Sequence, residues 1–112
     1  MKKLVLLLAV ILFTTTAFAQ DVAKKTAEIK TSAVCEMCKE RIEKALSELD
    51  GVISSNLTVE TQIVKVDYNP EKTDIDKIRE KISDTGYNAD NVRKSKKAFK
   101  KLPKCCQGDK VH

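Results

Sequence analysis

The chain has 112 residues, 42% of them hydrophobic but only 4% aromatic, with no tryptophan and a formal net charge of +5. That length makes one small domain with a modest, mainly aliphatic core. The charge is split: residues 20–92 carry 11 Lys or Arg against 15 Asp or Glu, whereas residues 93–112 carry 8 basic residues against one acid, which excludes a folded part with the basic face that nucleic acid requires.

Lys2 and Lys3, the short apolar run Leu4–Phe13 and the small residues of Ala17-Phe18-Ala19 have the order of a secretory signal peptide. The run is about half the roughly 20 residues that span a bilayer. No cysteine stands at the expected cut after Ala19, which argues against a lipoprotein anchor. Residues 1–19 are therefore expected to be removed, the protein to reach the periplasm or cell exterior, and no later segment to insert stably in a membrane. Export makes disulfides permissible for Cys35, Cys38, Cys105 and Cys106 but does not require them.

Residues 20–25 read as a flexible lead-in. Thr26–Ser32 reads as a strand, with Ala27, Ile29 and Thr31 alternating against Glu28 and Lys30. From Met37 to Asp50 the period becomes helical: Cys38, Ile42, Ala45, Leu46 and Leu49 share one face, and Asp50-Gly51 ends the helix. Val52–Val59 reads as a second strand, Glu60-Thr61-Gln62 as a turn and Ile63–Tyr68 as a third strand ended by Asn69-Pro70. Thr73 is expected to cap a second helix with Asp74 and Asp76 in its first turn and Ile75, Ile78 and Ile82 as its buried stripe. Tyr87–Arg93 reads as a short fourth strand. The order βαββαβ predicts an α+β, ferredoxin-like sandwich, a four-stranded antiparallel sheet with two helices on one face. The shift in charge near Arg93 divides a domain over 26–93 from a basic, cysteine-containing tail over 94–112, with one helical turn around Ala98 and Phe99 and an otherwise solvated course.

Cys35 and Cys38, three apart across a loop and the start of a helix, are placed to aim two sulfurs at one point. The helix N-terminus favours thiolate, the form that binds soft ions such as Cu(I). Two sulfurs suit a linear ion and leave Zn(II) short of its four ligands. A disulfide across so short a loop stabilises little. Thiol–disulfide redox chemistry is a further reading, but no Trp-Cys pair precedes the motif, the prolines are Pro70 and Pro103, and the order of elements is not that of a thioredoxin.

Cys35-Glu36-Met37-Cys38 between strand and helix, "GVISSNLTVETQIVKVDYNP" and "IREKISDTGYNAD" together resemble the heavy-metal-associated domain family over about residues 26–92. That family includes small copper chaperones, the N-terminal domains of metal ATPases and the periplasmic mercury-binding protein. The resemblance implies that the metal is carried by Cys35 and Cys38, with Tyr87 as the aromatic packed near it. Ser32 and Ala33 depart from the family's Gly-Met, and the loss of a packing methionine at Ala33 is expected to loosen the loop. Met37 has a thioether that is a candidate ligand, although a methionine there more commonly fills space.

The tail sequence "KLPKCCQGDKVH" lies outside the resemblance. Adjacent cysteines strain to pair with each other, so Cys105 and Cys106 are expected to act on something else. Extra thiolate ligands, with His112 as an imidazole donor, disulfides to the loop, or incidental thiols on a disordered tail all remain open. The functional expectation is an exported monomer that is not an enzyme and has no nucleic-acid partner. It binds a soft ion, first Cu(I), then Hg(II) or Zn(II), and passes it to a metal-transporting ATPase or another metal-handling protein by thiolate exchange.

Overall fold

The computed structural model describes residues 23–107, and β1 (Lys25–Lys30), α1 (Glu36–Ser47), β2 (Val52–Thr58), β3 (Ile63–Tyr68) and α2 (Ile75–Asp84) follow in that order. The expected signal peptide and His112 lie outside the described residues. β3 is central and pairs antiparallel with β1 and β2. The register sets Ile29 and Leu57 on either side of Val64, and Ala27 and Ser55 on either side of Val66. The sheet thus offers one apolar face. α1 places Cys38, Ile42 and Leu46 on that face, and α2 places Ile78 and Ile82 there. Spacings of four residues stack these side chains on one side of each helix. The result is an α+β fold with two helices on an antiparallel sheet.

The sheet has three strands among the described residues, not the expected four. Ala89 makes only isolated bridges, to Thr31 and Val92. The chain turns back at Asp90, whose φ is +53°. The Lys30 N–H donates to the Asp90 carboxylate at 2.9 Å, and the Asp90 N–H donates to the Lys30 carbonyl at 2.8 Å. One residue therefore satisfies both backbone groups that a fourth strand would have paired at Lys30. Arg79 Nε holds the other Asp90 oxygen at 2.9 Å. Asn88 to Asn91 is a stretch of turn formers, and local side-chain bonding beats strand pairing there.

The second helix starts one residue later than expected. Asp74, not Thr73, is its N-cap, and its carboxylate accepts from the Lys77 N–H at 2.9 Å. Thr73 is buried with its hydroxyl unpartnered.

Residues 94–107 do not take the solvated course expected of them. Residues Lys96–Lys100 form α3 and Lys104–Gln107 form α4. The Ser95 hydroxyl caps α3 by accepting from the Ala98 N–H. Leu102, 6% exposed, and Cys106, 2% exposed, join the core cluster. Backbone and side-chain bonds carry the chain there: Ser83 Oγ donates to the Arg93 carbonyl at 2.7 Å, and the Ser95 N–H donates to the Ser83 carbonyl at 3.0 Å.

Asp67 ties the open face of the sheet. It accepts from Thr26 Oγ1 at 2.7 Å and Ser54 Oγ at 3.3 Å, with Lys24 Nζ at 3.8 Å. The Thr26 bond, helped by Lys24 and Ser54, holds the carboxyl below its ordinary range. A folded-state pKa below the unfolded value of about 3.9 gives stability that is present above that value and is lost as pH falls through the lowered one. Asp67→Asn is expected to flatten the acid limb of the stability curve between about pH 5 and pH 2, measured by thermal melts. An unchanged acid limb would remove Asp67 from the account.

Candidate metal centre

β1 runs into the cysteine loop, and the loop is pinned from the opposite turn. The Gln62 carbonyl accepts from the Thr31 N–H at 2.8 Å and the Thr31 hydroxyl at 2.9 Å, and Gln62 Nε2 donates to the Ala33 carbonyl at 2.8 Å. Thr31 Oγ1 in turn accepts from the Ala33 N–H at 3.1 Å. Ala33 is fully buried. Hydrogen bonds to and from Gln62 thus hold the loop at the position where the packing methionine is missing. Ser32 adds a tie by accepting from the Asn88 N–H at 2.9 Å.

Cys35 stands at the N-cap of α1 and Cys38 in its first turn. Their sulfurs are 3.2 Å apart, well outside the roughly 2.05 Å of a disulfide. All four cysteines are free thiols. The docking of α4 brings Cys105 Sγ to 3.6 Å and Cys106 Sγ to 3.8 Å from Cys35 Sγ. Cys105 and Cys106 sulfurs lie 4.0 Å apart, and those of Cys35, Cys105 and Cys106 all fall within 4.8 Å of one another. A tetrahedral ion at about 2.3 Å from each sulfur needs neighbouring sulfurs about 3.8 Å apart. The three thiols of this group already stand near that spacing, with Cys35 as their hub and Cys38 beside it.

The four sulfurs differ in exposure and in acidity. Cys38 is 0% exposed and Cys105 is exposed. Burial is the largest influence on Cys35 and raises its pKa, but hydrogen bonding from the Cys38 thiol and backbone, with Cys105 and Cys106, outweighs it and holds the thiol below its ordinary range. Burial dominates at Cys38 and pushes it up to about 11. A helix N-terminus favours thiolate at both positions, but at Cys38 desolvation wins. Burial likewise raises Cys106, while the neighbouring Cys35 thiol is the main cause of the raised Cys105.

Met37 is 44% exposed on the outer side of α1, with its sulfur 3.6 Å from Cys105 Sγ. Tyr87 is fully buried beneath the cysteines. Its hydroxyl has no hydrogen-bond partner, although burial and the Cys106 and Cys38 thiols beside it push its pKa up. An unpartnered buried hydroxyl costs about 1–3 kcal/mol. Tyr87→Phe is expected to raise the stability of the metal-free protein by about 1 kcal/mol in urea unfolding. A loss of that size would mean that the hydroxyl bonds to one of the two sulfurs.

Sequence reasoning does not find that Gln62, Asp90 and Leu102 position the site without supplying a donor. Gln62 has a signal of sorts as the last residue of the turn. Leu102 stands out only as a lone aliphatic residue in a basic run before Pro103.

A profile of the heavy-metal-associated domain matches residues 30–88. The copper-exporting P-type ATPase of Staphylococcus aureus (strain Newman) is 44% identical over 69 residues, which make up 61% of this chain and 9% of the ATPase. The chain thus spans a small part of the length of such curated relatives. Among solved structures, the CopZ metallochaperone superposes with a TM-score of 0.57 at 29% identity, covering 58% of this chain and 98% of its own. Oxidized MerP from Ralstonia metallidurans CH34 superposes with a TM-score of 0.58 at 28% identity, covering 60% of this chain and 94% of its own. Helices α3 and α4, with Cys105 and Cys106, lie beyond the matched residues. With its paired cysteines at the head of α1, its antiparallel sheet under two helices and a family match over more than half its length, the chain belongs to the heavy-metal-associated domain family.

Proposed function

We propose that the protein is an exported carrier of a soft metal ion, Cu(I) first, which Cys35 and Cys38 bind as thiolates and pass on by ligand exchange. The observation that carries this reading is the sulfur cluster centred on Cys35, with Cys38 at 3.2 Å. Thiolates select Cu(I) over harder ions. The relatives named as copper exporters and a metallochaperone support the choice of ion. In transfer, a partner's thiolate adds to the bound ion, a higher-coordinate intermediate forms, and one Cys–metal bond breaks. The ion keeps its oxidation state and is never free. The partner is a metal-transporting ATPase or another metal-handling protein with its own thiols, which the acidic part of the domain helps to orient. The carrier acts as a monomer in the periplasm or cell exterior, with residues 1–19 removed. It performs no catalysis, meets no nucleic acid and does not insert in membranes. No helix among the described residues is long and apolar enough to cross a membrane.

A second reading, Zn(II) or Hg(II) in place of Cu(I), is favoured by three thiols within 4.8 Å of one another with Cys38 beside Cys35, and by the MerP likeness. Anaerobic titration of the reduced protein separates these readings. Tight binding of Cu(I) that resists competing Zn(II), and that Cys35→Ser/Cys38→Ser abolishes, is the expected result. Unimpaired binding in the double variant, or no soft-metal binding at all, would reject it. Intact mass of the protein recovered from the cell envelope tests the cut before Gln20.

A further inference from the structure

We propose that the segment 94–107 is a built-in lid whose Cys105 and Cys106 are additional ligands to the ion, so that the site is closed by the chain's own thiols and opens for transfer from the Cys105 side. This rests on the soft-metal reading above and adds to it where the ligands come from and in what order they leave.

The docking is made of ordinary core contacts, not of the cysteines alone. Leu102 is buried against the domain, and Phe99 packs on the core beside it. Lys94 Nζ sits 3.7 Å over the Phe99 ring, which turns one charge of the basic run into a cap on the lid's own anchor. Gln107 Nε2 donates to the Phe99 and Leu102 carbonyls at 3.3 and 3.1 Å and so ties α4 back to α3. The Lys94 N–H donates to Asn88 Oδ1 at 2.9 Å, where the lid leaves the domain. The segment is therefore positioned independently of any metal.

What it positions is chemically specific. Cys106 Sγ and Cys105 Sγ stand 3.8 and 3.6 Å from Cys35 Sγ, close to the spacing of about 3.8 Å for sulfurs sharing one tetrahedral ion. Two more sulfurs relieve the shortage that a two-cysteine motif leaves for any ion wanting three or four ligands. Tethered to the same chain, they act at an effective concentration on the order of millimolar, which a partner's thiols in free solution do not match.

Exposure dictates the route out. Cys38 is 0% exposed and Cys106 is 2% exposed, so with the lid down neither is open to an incoming sulfur. Cys105 is exposed, and Met37 beside it is the exposed sulfur on the domain side. A partner thiol attacks there: its S–metal bond forms, the Cys105 S–metal bond breaks, and the Cys105 thiolate takes up the proton that the partner gives up. No electron is transferred. With Cys105 and then Cys106 released from the ion, only the core contacts of Leu102 and Phe99 still hold the lid, and breaking them exposes Cys35 and Cys38 for completion.

The test uses the full chain, loaded anaerobically with Cu(I), beside Cys105→Ser, Cys105→Ser/Cys106→Ala and Cys35→Ser/Cys38→Ser. X-ray absorption counts the sulfurs on copper, and a chromophoric Cu(I) chelator times its removal. The parent is expected to show four sulfurs, Cys105→Ser three and the tail double variant two, with removal at least about tenfold faster from the last. Cys105 is exposed, so its replacement does not threaten folding and reports even if loss of Cys106 disturbs the core. Two sulfurs in the parent and equal removal rates in all tail variants would overturn the lid ligands while leaving the carrier reading intact. A parent that binds no Cu(I) would overturn both.

Discussion

Cys35→Ser is expected to reduce Cu(I) affinity by about a thousandfold or more, roughly 4 kcal/mol, and by more than any other single cysteine replacement. Cys35 Sγ lies 3.2, 3.6 and 3.8 Å from the sulfurs of Cys38, Cys105 and Cys106. No other thiol among the described residues holds that central place. Hydrogen bonding from the other cysteines also holds its pKa below the ordinary value despite burial, whereas Cys38 is pushed up to about 11. The replacement thus removes the sulfur most ready to be a thiolate and leaves a hard hydroxyl that Cu(I) does not favour. Ligand thiols must lose protons to bind. Cys38 stays protonated at neutral pH, so the ion must displace its proton, and the apparent affinity of the parent should rise with pH until that thiol titrates. A competition titration against a Cu(I) chelator at several pH values checks both statements. If Cys105→Ser costs more than Cys35→Ser, the central role belongs elsewhere.

Gly86→Val should destabilise the protein by about 2–4 kcal/mol and loosen α3 and α4 from the domain. Gly86 has a φ of +109°, where a β-branched residue is strained. A Cβ at this position would stand 3.1 Å from Leu102 Cδ1 and the Phe99 backbone nitrogen, and 3.2 Å from the Ala98 carbonyl carbon. The leucine methyl can shift; the backbone of α3 cannot without moving the whole helix. Strain and displacement therefore act together. Urea unfolding should show the loss, and hydrogen exchange should show the amides of Phe99 and Leu102 less protected than in the parent. Full stability in Gly86→Val would mean that α3 is held by something other than its seat on this glycine.

Much of the domain can be read from residue spacing alone. Ile29, Val64, Val66 and Leu57 alternate with polar residues, and Cys38, Ile42 and Leu46 recur every four, so local periodicity names both the elements and their inner faces. The expected fourth strand does not form because Asn88, Asp90 and Asn91, within Tyr87 to Arg93, favour turns over strand pairing. Asp90 answers Lys30 with a carboxylate and a single backbone bond, a long-range match that no local pattern reveals. The start of α2 turns on a choice between two adjacent caps, Thr73 and Asp74, and the stronger N-cap residue, Asp74, takes the position.

The site divides in the same way. Cys35 and Cys38 are near neighbours on a loop and the helix that follows it, so their convergence is a local property, fixed by a spacing of three and visible in the chain itself. Cys105 and Cys106 lie 70 and 71 residues along the chain from Cys35, and no local pattern links them to it. Their approach depends on where Leu102 and Phe99 find apolar surface, on the room left by Gly86 and on a crossing anchored at Ser83. Each of these is a contact between distant segments, and a run of lysines gives no sign of them. Local spacing by itself determined a fold with a two-thiol motif; only tertiary packing decided that two more thiols would meet it, because burial of a few distant side chains, Leu102 and Phe99 together with Cys106, sets the course of the last helices.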